Sequence, residues 1–289
     1  MNPPPSHSDP RRGFTLVELA VALTIVGLLL GGLLLPLSLQ QDLRATRETA
    51  TTMDTMIESL IGFALVHGRL PCPDTDLDGL ENCAATVTDA ANFPTSGLCT
   101  RTAGSCTGTA CEGGFPFATL GLKAADSWGS RFRYRVSSDF LATSTVVYSG
   151  ACGSGSVVSS SGIGLSANGD ITVKTRGDDP ATGSTRESKA LINLATNLPA
   201  VIVSHGKNRH GGIGADGILA MPAPPPQNRD EAVNAVTGAI KIARTVPAAT
   251  ASGCDDDDEA RPACEFDDIV AWLSPHVLFN RMLAAGRLP

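Results

Sequence analysis

The feature that most constrains the fold is an uncharged apolar run over residues 19–39, preceded directly by a glutamate, Glu18. A helix of roughly 20 apolar residues crosses the hydrocarbon core of a bilayer, and the apolar segment over residues 14–39 is long enough to do so. A carboxylate inside such a segment is costly unless a partner compensates its charge. The sequence therefore predicts a membrane-spanning helix over residues 14–39 in which Glu18 requires a partner.

The residues before this run predict its orientation. Arg11 and Arg12 lie directly before Gly13, and basic residues at the end of a membrane segment stay on the cytoplasmic side. The part of the chain that follows the apolar run is then exported. A secretory signal carries its small-residue cleavage site after the apolar segment, whereas Gly13 precedes the apolar segment here.

Residues 11–18, which read Arg-Arg-Gly-Phe-Thr-Leu-Val-Glu, resemble the class III leader junction of type IV prepilins and type II secretion pseudopilins. The resemblance implies that residues 1–13 are a leader and that a membrane-embedded prepilin peptidase cuts between Gly13 and Phe14. The same enzyme then methylates the new amino group of Phe14. The resemblance also supplies Glu18 with a partner, the Phe14 amine of a neighbouring subunit. Such an ion pair sets register, because breaking it leaves an uncompensated charge in lipid.

The same resemblance implies partners and a location. The N-terminal helix would contact other pilin or pseudopilin subunits and the lipid of the inner membrane. The precursor would be a single-pass inner-membrane protein with a cytoplasmic N terminus and a periplasmic C-terminal domain, and would later enter a pilus or pseudopilus. The alternative interpretation is a plain membrane anchor with a chance glutamate near its cytoplasmic end, where snorkelling reduces the cost of the charge.

Beyond the apolar run the pattern becomes amphipathic. Asp54, Glu58 and Ser59 share one face of a helix, and apolar residues recur at intervals of three and four on the other. These apolar residues are Met53, Met56, Ile57, Leu60, Ile61 and Ala64. The spacing predicts a second helical half over residues 40–68, which Gly68 and Pro71 end. Its apolar stripe requires a globular domain to pack against, and residues 69–289 are predicted to form that exported domain.

All eight cysteines lie in this exported region: Cys72, Cys83, Cys99, Cys106, Cys111, Cys152, Cys254 and Cys264. An even number of cysteines in an oxidising compartment predicts disulfides, although eight allow 105 connectivities. We favour the local pairs Cys72 with Cys83 and Cys254 with Cys264. Zinc is the alternative use for cysteines, but the chain contains no Cys-x-x-Cys pair, which is the usual spacing of structural zinc ligands.

Short strand-like runs lie at residues 132–137, 145–148, 171–175 and 200–204. Together with the helical N-terminal pattern they predict an α+β fold, and the resemblance implies that this fold is pilin-like. In this fold a long N-terminal helix, membrane-spanning in its first half, packs on an exported antiparallel β-sheet domain with disulfides. Ser274 and Pro275 predict the start of a short C-terminal helix that reaches Met282.

Four further segments resemble those of larger prepilin-like proteins of Gram-negative bacteria. They are residues 60–74, 117–136, 200–208 and 266–289. This wider resemblance implies a minor subunit rather than a major one, because major pilins are usually much shorter. No catalytic role comes with it.

Two acidic segments raise the question of metal binding. Asp74, Asp76 and Asp78 precede Gly79 in a D-x-D-x-D-G pattern, in which alternate carboxylates converge on calcium and the glycine permits the turn. The pattern lacks the later bidentate glutamate of a complete calcium loop, since Ala85 occupies that position. The segment is therefore either a calcium site or a solvated acidic turn. Residues 255–259 form a second acidic run, which we interpret as solvated charge.

Arginines alternate with aromatic residues at Arg131, Arg133 and Arg135, as they do on platforms that bind single-stranded nucleic acid. The alternative is a strand with Phe132, Tyr134 and Val136 in the core and the three arginines in water. A net charge of −7 and 4% aromatic residues do not favour a nucleic acid partner. We therefore prefer the strand.

The sequence as a whole predicts a non-enzymatic minor pilin or pseudopilin, a structural subunit assembled after leader cleavage and N-methylation. No G-x-S-x-G or H-E-x-x-H motif is present. A filament-tip adhesin or DNA-uptake minor pilin is one alternative. A membrane-anchored periplasmic enzyme is the alternative from another class.

Overall fold

A computed structural model of the 289-residue chain divides it into two compact units, Met1–Ala45 and Thr46–Pro289. The structure describes residues 15–82, 86–88, 98–102, 111–141, 145–149, 163–176, 191–244, 253–258 and 261–288.

The first helix, α1, covers Leu16–His67 and therefore contributes to both units. Its last residue is His67, and Gly68 after it adopts a left-handed conformation with a φ of 71°. The Gly68 amide donates a hydrogen bond to the Ala64 carbonyl at 2.8 Å. This is a common C-terminal cap, in which glycine avoids the steric penalty that a side chain would meet.

Within the part of the chain that the structure describes, no helix combines the length and the apolar character that crossing a membrane requires. The predicted membrane-spanning segment, residues 14–39, includes Phe14 and the side chains of residues 28–39, which lie outside the described residues. The predicted span stays a prediction.

Within its described residues, the second unit contains three small β-sheets, three short α-helices and a 3-10 turn at Ser138–Phe140. The ten strands are β1 (Thr86–Thr88), β2 (Leu98–Thr102), β3 (Glu112–Gly114), β4 (Arg133–Val136), β5 (Thr145–Ser149), β6 (Ile171–Arg176), β7 (Leu191–Leu198), β8 (Ala200–Ser204), β9 (Ile240–Ile242) and β10 (Ile269–Leu273). The short helices are α2 (Phe117–Leu120), α3 (Arg229–Ala235) and α4 (Pro275–Ala284). The sheet orders are β10-β8-β4-β3, β7-β6-β9 and β1-β2-β5.

Antiparallel pairing dominates these sheets. In the central sheet β8 pairs with β10 on one side and with β4 on the other, both antiparallel. Strands β6 and β9 pair in parallel, over Thr172 to Lys174 of β6. The predicted α+β architecture, a helix packed on antiparallel sheets, is confirmed.

The amphipathic stripe of α1 forms part of the main core, as predicted. Met53, Met56, Leu60, Ile61 and Ala64 are at most 3% exposed and belong to one cluster of buried side chains. This cluster also includes core side chains from the sheet and from the loops around it: Leu70, Phe115, Phe132, Tyr134, Phe140 and Ile202. The opposite face of the helix carries Asp54 and Glu58, which are both exposed. Burial of the apolar face therefore packs residues 46–67 of the helix against the rest of the second unit, which is called the globular unit below.

The disulfide between Cys254 and Cys264 is formed, with 4.9 Å between the two Cα atoms. Cys72 is also part of a disulfide, and so is Cys111. The other favoured pair, Cys72 with Cys83, involves a cysteine that lies outside the described residues.

The prediction that residues 255–259 are solvated charge is wrong for Asp256, which is fully buried. Its Oδ1 atom accepts hydrogen bonds from the Cys264 amide at 3.0 Å and from Arg244 at 3.2 Å. Its Oδ2 atom accepts one from the Asp230 amide at 3.1 Å. The carboxylate therefore organises the disulfide loop, because three donors compensate its desolvation.

Candidate functional site

The N-terminal turn of α1 holds Glu18 in a capping box. The Thr15 amide and hydroxyl both donate hydrogen bonds to Glu18 Oε2, at 3.0 Å and 2.9 Å. The Glu18 amide donates in return to Thr15 Oγ1 at 3.2 Å. The carboxylate and the hydroxyl satisfy helix N-terminal groups reciprocally, as Thr-x-x-Glu spacing allows. The sequence predictions do not include this role of Glu18, although its spacing from Thr15 indicates it.

The helix surface around Glu18 is apolar and exposed. Seven apolar side chains of this segment are between 49% and 85% exposed: Leu16, Val17, Leu19, Val21, Leu23, Ile25 and Val26. A contiguous surface of this kind requires lipid or another protein to cover it. Gly13 and Phe14, the residues predicted to flank the cleavage site, lie outside the described residues.

The aspartate turn places three predicted calcium ligands close together. One carboxylate oxygen from each of Asp74, Asp76 and Asp78 lies within 4.8 Å of the others, with Asp74 buried and the other two exposed. Asp74 Oδ1 accepts a hydrogen bond from the Leu77 amide at 2.7 Å, and Oδ2 accepts one from the Gly79 amide at 2.8 Å. Burial raises the pKa of Asp74, although these amides oppose the shift. Calcium binding at this turn stays a prediction.

Glu81, the nearest further carboxylate of this segment, binds elsewhere. Its two oxygens accept hydrogen bonds from both terminal nitrogens of Arg69, each at 2.7 Å, in a bidentate pair. Its Oε2 atom also accepts the Cys72 amide at 3.0 Å. The Glu81 carboxylate therefore joins the segment of Arg69 and Cys72 to the end of the aspartate turn, and does not complete a calcium loop.

The arginine-rich strand buries its aromatic residues as predicted, but the prediction that its arginines face water is wrong. Phe132 and Tyr134 are at most 1% exposed, and Arg135 is also buried, at 5%. Arg131 donates to the Leu77 and Ala215 carbonyls at 2.6 Å and 3.0 Å. The second face of β4 is covered by other chain segments, so both faces of this strand are occupied.

Glu112 lies at the centre of the charges that cover this face. Its Oε1 atom accepts hydrogen bonds from Lys241 Nζ at 2.7 Å and from Arg133 Nε. Its Oε2 atom accepts the Gly238 amide at 2.9 Å and lies 3.7 Å from a terminal nitrogen of Arg135. Three cations thus surround one carboxylate whose side chain is completely buried.

The pKa values reflect this arrangement. Burial favours the protonated form of Glu112, but Lys241 and Arg133 outweigh it and hold the pKa of that carboxyl below its usual value. Burial lowers the pKa of Lys241 to about 8, although Glu112 opposes the shift. At neutral pH both groups are therefore charged, and each depends on the other.

A cavity of about 450 Å³ adjoins this network, lined among others by Asp74, Glu112, Arg131, Arg133 and His205. Its charged walls are hydrogen-bonded to each other or to backbone groups. This arrangement defines no nucleophile and base pair of the kind that covalent catalysis uses, as far as the described residues extend.

Residues 9–34 match the prokaryotic N-terminal methylation motif. This motif is the hallmark of type IV pilins and pseudopilins, and it includes the leader junction that the sequence predicted. No curated protein and no solved structure matches the chain.

The motif supports a type IV pilin-like or pseudopilin-like protein. It implies processing by a prepilin peptidase, anchoring of the precursor in a membrane and assembly with other pilins. Because the match covers residues 9–34 alone, it does not describe the task of the globular unit.

Proposed function

We propose that the chain is a minor pilin or pseudopilin, a non-enzymatic structural subunit of a type IV pilus or a type II secretion pseudopilus. The observation that carries this proposal is that the methylation motif, residues 9–34, coincides with a helix whose apolar side chains are exposed from Leu16 to Val26. A surface of that length and character is suited first to lipid and then to the helices of other subunits.

In this proposal residues 14–39 hold the precursor in the inner membrane, with residues 1–13 in the cytoplasm and residues 69–289 in the periplasm. Cleavage after Gly13 and methylation produce a new amino terminus at Phe14. The Glu18 carboxylate of one subunit then pairs with the Phe14 amine of a neighbour. Both hydrogen bonds from Thr15 are accepted by Glu18 Oε2, and the carboxylate stays exposed. The capped turn therefore holds the Glu18 side chain in one orientation, in which a neighbouring subunit can reach it.

A minor rather than a major role is supported by the size of the globular unit. The described part of residues 46–289 carries three sheets and a disulfide loop, whereas the major pilins that the N terminus resembles are usually much shorter. The exported unit would therefore add a specialised surface at few positions in the filament.

The DNA-uptake alternative loses its main support in the structure. Arg133 and Arg135 pair with Glu112, and Arg135 also pairs with Asp170 at 2.8 Å. Their positive charge is balanced inside the protein, so replacing them would test folding before it tested nucleic acid binding.

Isolation of filaments tests the proposed function. We expect peptides of this chain in filaments sheared from the cell surface, or in overexpressed pseudopili, at a small fraction of the major subunit. A variant with Gly13 replaced by valine is the control, because blocked cleavage should leave it in the inner membrane. A chain that never leaves the membrane fraction, while filaments of the same cells are abundant, would contradict the proposal.

A further inference from the structure

A second group of carboxylates lies apart from the aspartate turn and consists of Glu231, Asp267 and Asp268. One carboxylate oxygen from each lies within 4.8 Å of the others. Glu231 is fully buried, Asp268 is 6% exposed and Asp267 is partly exposed. These residues come from two separate segments, since Glu231 lies on α3 and the two aspartates directly precede β10. The fold thus concentrates three acidic groups where water is scarce.

Neutral amides hold this carboxylate cluster in place. Glu231 accepts hydrogen bonds from the side-chain amides of Asn208 and Asn228, each at 2.8 Å. Asp267 Oδ2 accepts the Asn208 backbone amide at 2.8 Å, and Asp268 Oδ2 accepts the Asn234 side-chain amide at 2.8 Å. Amides orient carboxylates without cancelling their charge, which is the usual function of groups that surround a metal's ligands.

Each aspartate keeps one buried oxygen that these amides do not reach. Asp267 Oδ1 and Asp268 Oδ1 have no hydrogen-bond partner among the described residues. Buried polar atoms are rarely left without a partner, and each exception requires an explanation. The amides bind the Oδ2 atoms of the two aspartates, so both Oδ1 atoms remain available to bind a cation.

A histidine provides an independent observation at the same place. His205 is 1% exposed, and its Nδ1 atom is also buried without a hydrogen-bond partner within the described ranges. This Nδ1 atom lies 3.6 Å from Asp268 Oδ1, which is too long for a hydrogen bond. Two ligands of one metal ion, each just over 2 Å from it, are commonly separated by a distance of this order.

The local backbone brings the histidine loop against the aspartates. Gly206 has a φ of 54°, and a Cβ atom at this position would collide with the backbone of Asp267. Glycine therefore permits the close approach of the loop that carries His205 and Asn208. His205 also lines the 450 Å³ cavity, and Asp267 is the one carboxylate of the cluster that is partly exposed.

We propose that Glu231, Asp267 and Asp268, with His205 beside them, bind a divalent cation that prefers oxygen ligands. Three carboxylates outnumber the one imidazole, which favours a hard cation such as Ca²⁺ over Zn²⁺. Oxygens that all lie within 4.8 Å of one another can contact one Ca²⁺, because even oxygens at opposite sides of the ion are roughly 4.6 to 5.2 Å apart. The cation would neutralise the repulsion among the carboxylates and join α3 to β10.

Burial also changes the protonation of these carboxyl groups. Burial, together with the charge of Asp268, raises the pKa of Glu231 to about 8. Burial also raises the pKa of Asp267 to about 6. A proton shared among these carboxyl groups is therefore the alternative to a cation in this cluster.

Isothermal titration calorimetry with CaCl₂ on the full chain in detergent tests the proposal. The Asp76→Asn variant serves as the background, because it removes a ligand of the aspartate turn. We expect this background to bind one Ca²⁺ and to show a Tm that rises with the Ca²⁺ concentration. Adding Asp268→Asn should weaken the affinity by about a hundredfold or more.

The Asp268→Asn variant is chosen to keep the fold. Its amide oxygen can still accept the bond from Asn234, while its new N–H group can donate to His205 Nδ1. Its Tm without metal should equal or exceed that of the background, since a buried negative charge is removed. If Asp268→Asn does not fold, Glu231→Gln in the same background replaces it.

Three results would overturn the proposal. A background that binds no Ca²⁺ and shows no change in Tm would assign the cluster to a shared proton. A background that binds Zn²⁺ but not Ca²⁺ would contradict the preference for oxygen ligands. Finally, Ca²⁺ binding by Asp268→Asn and Glu231→Gln that is as tight as in the background would place the ion elsewhere.

Discussion

Replacing Glu18 with glutamine is expected to remove the chain from filaments while leaving its cleavage and its place in the inner membrane unchanged. Glutamine keeps the capping box, because a Thr-x-x-Gln sequence makes the same reciprocal bonds as Thr15 and Glu18. The substitution therefore removes the charge and preserves the turn. Breaking a buried pair of charges costs about 3–5 kcal/mol, which corresponds to a loss of incorporation of about a hundredfold or more.

Two controls separate charge from structure in this experiment. Glu48→Gln makes the same chemical change at a side chain that is 61% exposed, and it should enter filaments like the wild type. Thr15→Ala breaks the cap and keeps the Glu18 charge, so it should lose much less incorporation than Glu18→Gln. Quantitative peptide mass spectrometry of sheared filaments measures all three variants. Normal incorporation of Glu18→Gln, or equal loss in Thr15→Ala, would contradict an assembly role for the charge.

Replacing Glu112 with glutamine is expected to lower the free energy of unfolding of the globular unit by about 3–5 kcal/mol. The substitution leaves Lys241, which is 1% exposed, without its carboxylate partner, whereas Arg135 keeps Asp170 at 2.8 Å. Buried cations without a partner are strongly destabilising. Denaturant unfolding of the full chain in detergent, followed by tryptophan fluorescence, measures the loss.

The matched control for this variant is again Glu48→Gln, which breaks the exposed pair with Lys123 at 3.1 Å. Surface pairs contribute about 0–1 kcal/mol, so this change should be nearly neutral. A loss in Glu112→Gln no larger than that in Glu48→Gln would show that the buried charges do not stabilise the fold together.

The pH dependence of Glu112→Gln provides a second readout. Lys241, whose pKa burial lowers to about 8, loses the attraction of Glu112 in the variant and releases its proton more readily. The deficit of the variant should therefore shrink as the pH rises above 7. It should also shrink in acid, because the lowered pKa of Glu112 means that its contribution disappears as the pH falls below 4.5 through the folded value. A deficit that is constant across this range would contradict a stabilising role for the charged pair.

The parts of the fold that could be predicted from the sequence depend on neighbours in the chain. The stripe from Met53 to Ala64 is visible because helical periodicity repeats every three or four residues. Strand β8, Ala200–Ser204, was predicted with its observed bounds because it is a short, β-branched apolar run. Strand β7, Leu191–Leu198, was missed, since most of its side chains are exposed and give no pattern of burial.

The charged clusters could not be predicted, because they join residues that are far apart in the sequence. Lys241 and Glu112 are separated by 129 residues, and Asp267 and Glu231 by 36. No local pattern indicates such pairs. The alternation of arginine and aromatic residues in β4 therefore predicts arginines that face water, because the sequence does not show which segments cover them. The N-terminal site differs, since its leader, Thr15, Glu18 and apolar run are adjacent. A local motif can therefore be identified where a tertiary cluster cannot.

The mature N terminus tests the central claim most directly. Intact-mass and peptide mass spectrometry of the chain purified from its native membrane should show a protein that begins at Phe14 and carries one methyl group on its amino nitrogen. A Gly13→Val variant in the same cells should retain Met1 and residues 1–13. An intact Met1 in the wild type, or a cut away from Gly13, would contradict the assignment as a pilin-like subunit.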